Sequence, residues 1–173
     1  MTRRPFHPWL ALALAVALLP AAAGAAEHRF GVGVHYWRAV DDLADEGFDI
    51  DEDGLAPYLT YQLVPAGIFR FEVDLEYFEK GFGGATSAAF APVVYLLVGG
   101  GIYGGVGIGV TLSDDFEDNV SDPFYAARVG LSLQLLPRVH LDVNANYRAD
   151  AFAELEEADT DAITLGAAVR VGL

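Results

Sequence analysis

From about residue 28 onward, apolar residues alternate with polar residues or glycine at a period of two. That is the spacing of a β-strand with one apolar face. The pattern predicts eight strands, over about 28–40, 55–64, 69–80, 89–98, 102–112, 123–136, 139–149 and 162–173. In the third, Phe69, Phe71, Val73, Leu75 and Tyr77 oppose Arg70, Glu72, Asp74 and Glu76. In the seventh, Val139, Leu141, Val143, Ala145 and Tyr147 oppose His140, Asp142, Asn144, Asn146 and Arg148. The first strand sets Phe30, Val32, Val34 and Tyr36 against Arg29, Gly31, Gly33 and His35, and the last ends at Leu173 in the same rhythm. Helical spacing would scatter these charges around a cylinder, so the strand reading is firm. One stretch departs from it. Residues 88–98 are apolar on both faces and contain Pro92, which predicts a bulge and leaves open which face is outermost.

The connections alternate in length. Short ones fall at Pro65-Ala66-Gly67, Gly99-Gly100-Gly101 and Pro137-Arg138, long ones at 41–54, 81–88, 113–122 and 150–161. Short turns on one side and long loops on the other predict an all-β, eight-stranded antiparallel up-and-down transmembrane β-barrel with periplasmic turns and acidic extracellular loops. Strands of about ten residues cross the apolar core of a bilayer when tilted. A soluble lipocalin-like binding barrel is the competing architecture, with the greasy faces turned inward. Two aromatic belts favour the membrane form. Tyr36, Trp37, Tyr58, Tyr77, Phe82, Phe124, Tyr125 and Tyr147 lie at the loop ends of strands; Phe30, Phe69, Phe71 and Tyr103 lie at the turn ends.

Residues 1–26 read as a cleaved secretory signal and 27–173 as the single barrel domain. Arg3 and Arg4 precede an apolar run from Trp9 to Leu19, Pro20 breaks it, and Ala23-Gly24-Ala25-Ala26 supplies small residues for cleavage. The expected location is therefore a bacterial outer membrane. The 173 residues contain no cysteine, which excludes disulfides and thiolate metal sites. With 25 acids against 10 bases, the net charge is −15, and this excludes a nucleic-acid partner.

The charges divide into two sets. The inward set holds Glu72, Asp74, Glu76 and Asp142 facing Arg70, Arg128, Arg148 and Arg170, which predicts a balanced polar plug in a lumen narrow enough for side chains to fill. Inward glycines 31, 33, 105, 107 and 109 leave room for water, which keeps a narrow channel for ions or small apolar solutes as the alternative function. The second set crowds the loops: eight acids in 41–54, five in 113–122 and six in 150–161. Focused on one rim, they would attract calcium or magnesium and bridge to lipopolysaccharide phosphates. Asp49, Asp51 and Asp53 before Gly54 match the first half of an EF-hand loop and form the candidate calcium site, although Thr60 stands where that loop needs its Glu.

No catalytic set emerges, so the chain is expected not to be an enzyme. Lipid A-modifying chemistry ranks third: none of His28, His35 and His140 has a serine two residues away, and Ser87, Ser113 and Ser121 lie in or beside loops. Ser132 shares the inward face with His140 and Asp142 near the turn end. In strand number, loop alternation and its terminal strand from Ala162 to Leu173, the chain resembles the small eight-stranded outer-membrane proteins typified by OmpX and the OmpA transmembrane domain. The apolar stretch around Pro92 is similar in kind to the OmpW branch. The resemblance implies a monomer in outer-membrane lipid, inserted by the barrel-assembly machinery through that last strand. It also implies a structural or surface-interaction role in the envelope.

Overall fold

Strict alternation produces strands because each then buries one face and leaves the other for a second environment. The structure, a computed structural model, describes residues 26–38, 53–65, 68–79, 87–114, 119–149 and 163–173. Their strands are β1 (Glu27–Arg38), β2 (Asp53–Val64), β3 (Phe69–Phe78), β4 (Ala89–Gly99), β5 (Ile102–Gly109), the two-residue β6 (Leu112–Ser113), β7 (Phe124–Leu136), β8 (Val139–Ala149) and β9 (Ile163–Gly172). Among the described residues there is no helix.

Every neighbouring pair is antiparallel, and the sheet closes on itself. β1 pairs with both β2 and β9, while β3 pairs with β4, so no edge is left between first and last strands. β6 continues β5 in the same register against β4, which makes eight walls. Followed from strand to strand, the pairing returns to β1 displaced by about ten residues, the stagger a closed barrel needs for its strands to tilt.

The two faces separate as the alternation predicts. Phe30, Val32, Leu59, Phe71, Val106, Val129, Val143, Leu165 and Val169 lie exposed on the outside. Glu72, Asp74, Glu76, Arg128, Asp142 and Arg170 are buried inside. The soluble arrangement is thereby reversed: the greasy face is the outer one. β4 fits the same rule once its neighbours are present. Ala89, Ala91, Val93, Tyr95 and Leu97 point inward, and Phe90, Leu96 and Val98 point outward.

Several details differ from the expectation. β4 carries no bulge at Pro92; its register with β3 runs unbroken from Phe69–Val98 to Phe78–Ala89. The cost of the proline falls on the other neighbour. Val110 donates to the Pro92 carbonyl at 3.3 Å, but Pro92 has no N–H to return, and β5 ends at Gly109 before β6 resumes at Leu112. The register shift lies instead in β7, between Gln134 and Leu136. The expected 113–122 loop is narrower than its limits, since Leu112 bridges Val120 and Ser113 donates to the Asn119 carbonyl at 3.2 Å. Four expected belt aromatics, Trp37, Tyr58, Tyr103 and Phe124, are buried inside, because each shares parity with the lumen residues of its own strand. Tyr36, Phe30, Phe69 and Phe71 do face outward. Phe82 and residues 1–25 lie outside the described residues.

Replacing Pro92 with valine restores a donor opposite Val110, and the ladder should run on from β5 into β6. Amide exchange at Val110 and Thr111 is expected to slow, with a gain of about 1 kcal/mol in the unfolding free energy, the net worth of one hydrogen bond. Unchanged exchange there would locate the break elsewhere.

Candidate functional site: the barrel lumen

The lumen is built by inward positions of all eight walls, and its centre is Glu72 on β3. Its Oε1 accepts from Arg128 Nη1 of β7 and from Arg170 Nη2 of β9 at 2.7 Å, and its Oε2 accepts from Gln62 Nε2 of β2 at 2.5 Å. One carboxylate thus ties together four strands. Arg128 also reaches Asp74 Oδ2 at 2.8 Å, donates through Nε to Asn146 Oδ1, and stacks its guanidinium 3.9 Å over the Tyr95 ring. Arg170 pairs with Asp142 Oδ2 at 2.9 Å and donates through Nε to Thr60 at 3.3 Å. The other oxygen of Asp142 accepts from Tyr103 at 2.7 Å and from Asn144 at 3.0 Å.

These contacts join into an unbroken chain along the barrel. At the turn end Glu27 Oε2 accepts from Arg29 at 2.7 Å, and Arg29 donates to Gln62 Oε1 at 3.1 Å. Gln62 leads to Glu72, Arg128 and Asn146. Asn146 Nδ2 donates to His35 Nε2 at 3.2 Å, and His35 Nδ1 meets Glu76 Oε1 at 2.9 Å. Glu76 then accepts from Arg148 near the loop end. There the polar chain stops. The Arg148 guanidinium lies 5.0 Å from the ring centres of both Phe78 and Phe124. Trp37, Ala56, Ala89, Ala91 and Ala126 complete an apolar layer with those rings. Water reaching the charges from the loop side would have to cross that layer.

The inward glycines are occupied, which corrects the expectation of space for water. Across each lies a larger inward side chain: Arg170 opposite Gly31, Tyr58 opposite Gly33, Leu97 opposite Gly105, Tyr95 opposite Gly107 and Phe124 opposite Gly109, and Tyr103 and His35 stand likewise opposite Gly130 and Gly166. A Cβ on Gly33 would stand 2.4 Å from the Tyr58 ring, and one on Gly130 would stand 2.5 Å from that of Tyr103. The glycines are seats for large side chains, most of them rings.

Seven of the eight expected lumen residues enter this network, and Arg70 departs from it. Its guanidinium donates to the Gly100 carbonyl in the β4–β5 turn and sits 5.0 Å over the Tyr103 ring, and among the described residues it forms no ion pair with a carboxylate. The four carboxylates are therefore bridged by three guanidiniums rather than four. Several connecting groups are not charged at all: Gln62, Tyr103, Asn144, Asn146 and His35 were legible as inward by parity, but their roles depend on partners across the barrel. Ser132, His140 and Asp142 do not assemble. Ser132 pairs across strands with Asp142, whose oxygens are already engaged, while His140 Nε2 lies 3.5 Å from Glu27. Asp49 and Asp51 lie outside the described residues, and Asp53 is described only as the backbone start of β2. No group of three or more metal-ligating side chains occurs among the described residues.

No protein-family model matches the chain, and no curated protein matches it. Among solved structures it is similar to the crystal structure of Neisserial surface protein A (NspA), at 17% identity and a TM-score of 0.51, over 84% of this chain and 97% of that one. The two share a fold. Identity this low carries the closed antiparallel barrel and nothing of the lumen chemistry.

Replacing Glu72 with glutamine removes the carboxylate that Arg128 and Arg170 share and leaves each with one acid, Asp74 or Asp142. A loss of about 1–3 kcal/mol is expected, read as a fall in the urea midpoint of the protein refolded in detergent micelles. Gly130→Ala is expected to cost about 1–3 kcal/mol by overpacking against Tyr103, and Tyr103→Leu in the same chain should recover part of it.

Proposed function

We propose that the chain is a non-enzymatic β-barrel of a bacterial outer membrane, with a structural or surface-interaction role in the cell envelope. The observation that carries this reading is the inversion of polarity: an apolar outer wall surrounds a lumen of paired charges. An outer wall this apolar is unfavourable in water and favourable in a lipid core. The filled lumen supports a structural role over open transport, because both the ring-and-glycine seats and the apolar layer at the loop end oppose passage. Similarity to a protein described as a surface protein agrees with this placement.

Partners follow from the same reading. The outer wall meets lipid, and the barrel-assembly machinery inserts the chain through β9. The acidic loops attract calcium or magnesium and, through them, lipopolysaccharide phosphates, with Asp49, Asp51 and Asp53 as the local ligands. Calorimetry should show calcium heat that disappears when Asp49 and Asp51 are both replaced by asparagine; heat unaffected by that change would remove the site.

The embedding itself is tested by fractionation. Expressed with its leader in a Gram-negative host, the protein should enter the outer membrane and migrate differently on SDS gels before and after boiling. A periplasmic, soluble product would reverse the assignment of the outer wall. A second measurement uses Val169, which faces outward midway along β9. Val169→Arg should cost about 2–4 kcal/mol in a bilayer if that position is near the midplane, and little if the wall faced water.

A further inference from the structure

We infer that His35 is a proton-operated latch on the Arg128 brace, switching the lumen between a locked and a loosened arrangement. The inference goes beyond the envelope role and rests on the lumen geometry alone. Arg128 Nε–H donates to Asn146, so the amide oxygen must face Arg128. The Asn146 amine then faces His35 Nε2 at 3.2 Å and donates to it. With Nε2 an acceptor, the ring proton sits on Nδ1, which lies 2.9 Å from Glu76 Oε1. Arg128 thereby fixes the His35 tautomer through one intervening amide, and the ring is neutral in this arrangement.

Adding a proton to Nε2 sets two donors against each other. Asn146 cannot relieve the conflict by turning its amide over, since its NH2 would then meet the Arg128 N–H. Its present NH2 contacts with Asn144 Oδ1 at 2.9 Å and Thr164 at 3.3 Å would be lost as well. Protonation of His35 therefore displaces Asn146 and releases Arg128 Nε, the group that braces β7 against β8, while Nη1 keeps its hold on Glu72 and Asp74 of β3.

Charged and polar groups surround the ring on every side. His35 is faced by Glu76 and Asp74 from β3, Arg128 from β7, Arg148 and Asn144 from β8, the stacked Tyr58 ring of β2 at 4.3 Å, and Gly166 of β9. The hydrogen-bond polarity of the locked arrangement opposes the proton, whereas Asp74 and Glu76 beside the ring would pair with the charged form, so one proton separates two arrangements of the lumen.

The test is solution NMR of the full barrel in micelles, scanned from about pH 8 to about pH 3, following the His35 ring nitrogens and the Arg128 Nε–H signal. At the neutral end we expect the Nδ1–H tautomer and a slowly exchanging Arg128 proton. As His35 titrates, exchange at Arg128 should accelerate at least about tenfold with the same midpoint, an opening worth about 1.4 kcal/mol. Two variants, each first shown to be folded by its heat-dependent migration, separate the causes. His35→Gln should abolish the step. Asn146→Asp offers acceptors to both neighbours, so His35 should titrate at higher pH while the Arg128 proton stays protected. An Arg128 signal indifferent to His35 titration, a step that survives His35→Gln, or release that persists in Asn146→Asp would each overturn the latch. So would a His35 ring that stays neutral across the whole range.

Discussion

An eight-stranded barrel is narrow enough for side chains to fill its interior, so a buried lumen charge is stabilised chiefly by partners that project from other strands. Glu72 meets that constraint most fully. Its two oxygens receive Arg128, Arg170 and Gln62, from three different strands. Desolvating one carboxylate and two guanidiniums is costly, and their mutual attraction offsets it only with geometry this convergent. The same contacts define the barrel's cross-section. A shift of one residue in any of these strands would turn its partner outward.

Size complementarity is the second constraint. In a circle of eight strands, inward side chains compete for the same axis, and large residues fit only where the opposing strand gives way. The pairing of Tyr58 with Gly33, Tyr95 with Gly107 and Tyr103 with Gly130 shows how the space is divided. The rings then serve the charges, since Tyr95 lies under Arg128 and Tyr103 donates to Asp142. Packing and electrostatics in this lumen are one arrangement. At the loop end Phe78 and Phe124 replace that chemistry with an apolar layer, which shields Glu76 and Arg148 from that end of the barrel.

Much of this was legible before any coordinates. Parity assigned Glu72, Asp74, Glu76, Asp142, Arg128, Arg148 and Arg170 to the inside, and the walls themselves emerged from alternation and connection length. The errors share one cause. Trp37, Tyr58, Tyr103 and Phe124 were assigned to belts by their height along the strand, although parity already turned them inward. Water was expected beside the glycines because a glycine read alone is an empty position, whereas its cross-strand neighbour fills it. Arg70 was counted among the charge partners because parity gives a face, and it says nothing of which acceptor is nearest.

The sequence by itself determined the strands and which residues share a face, because these follow from a period of two, and the alternation of short and long links pointed to the antiparallel order. Only the tertiary structure decided who meets whom. Glu72 and Arg170 stand 98 positions apart in the chain, and His35 and Asn146 stand 111 apart. Their contact depends on the accumulated register of successive strand pairs and on the stagger with which the sheet closes. Each pairing is local, but their sum is a property of the whole circle, and no single segment carries it.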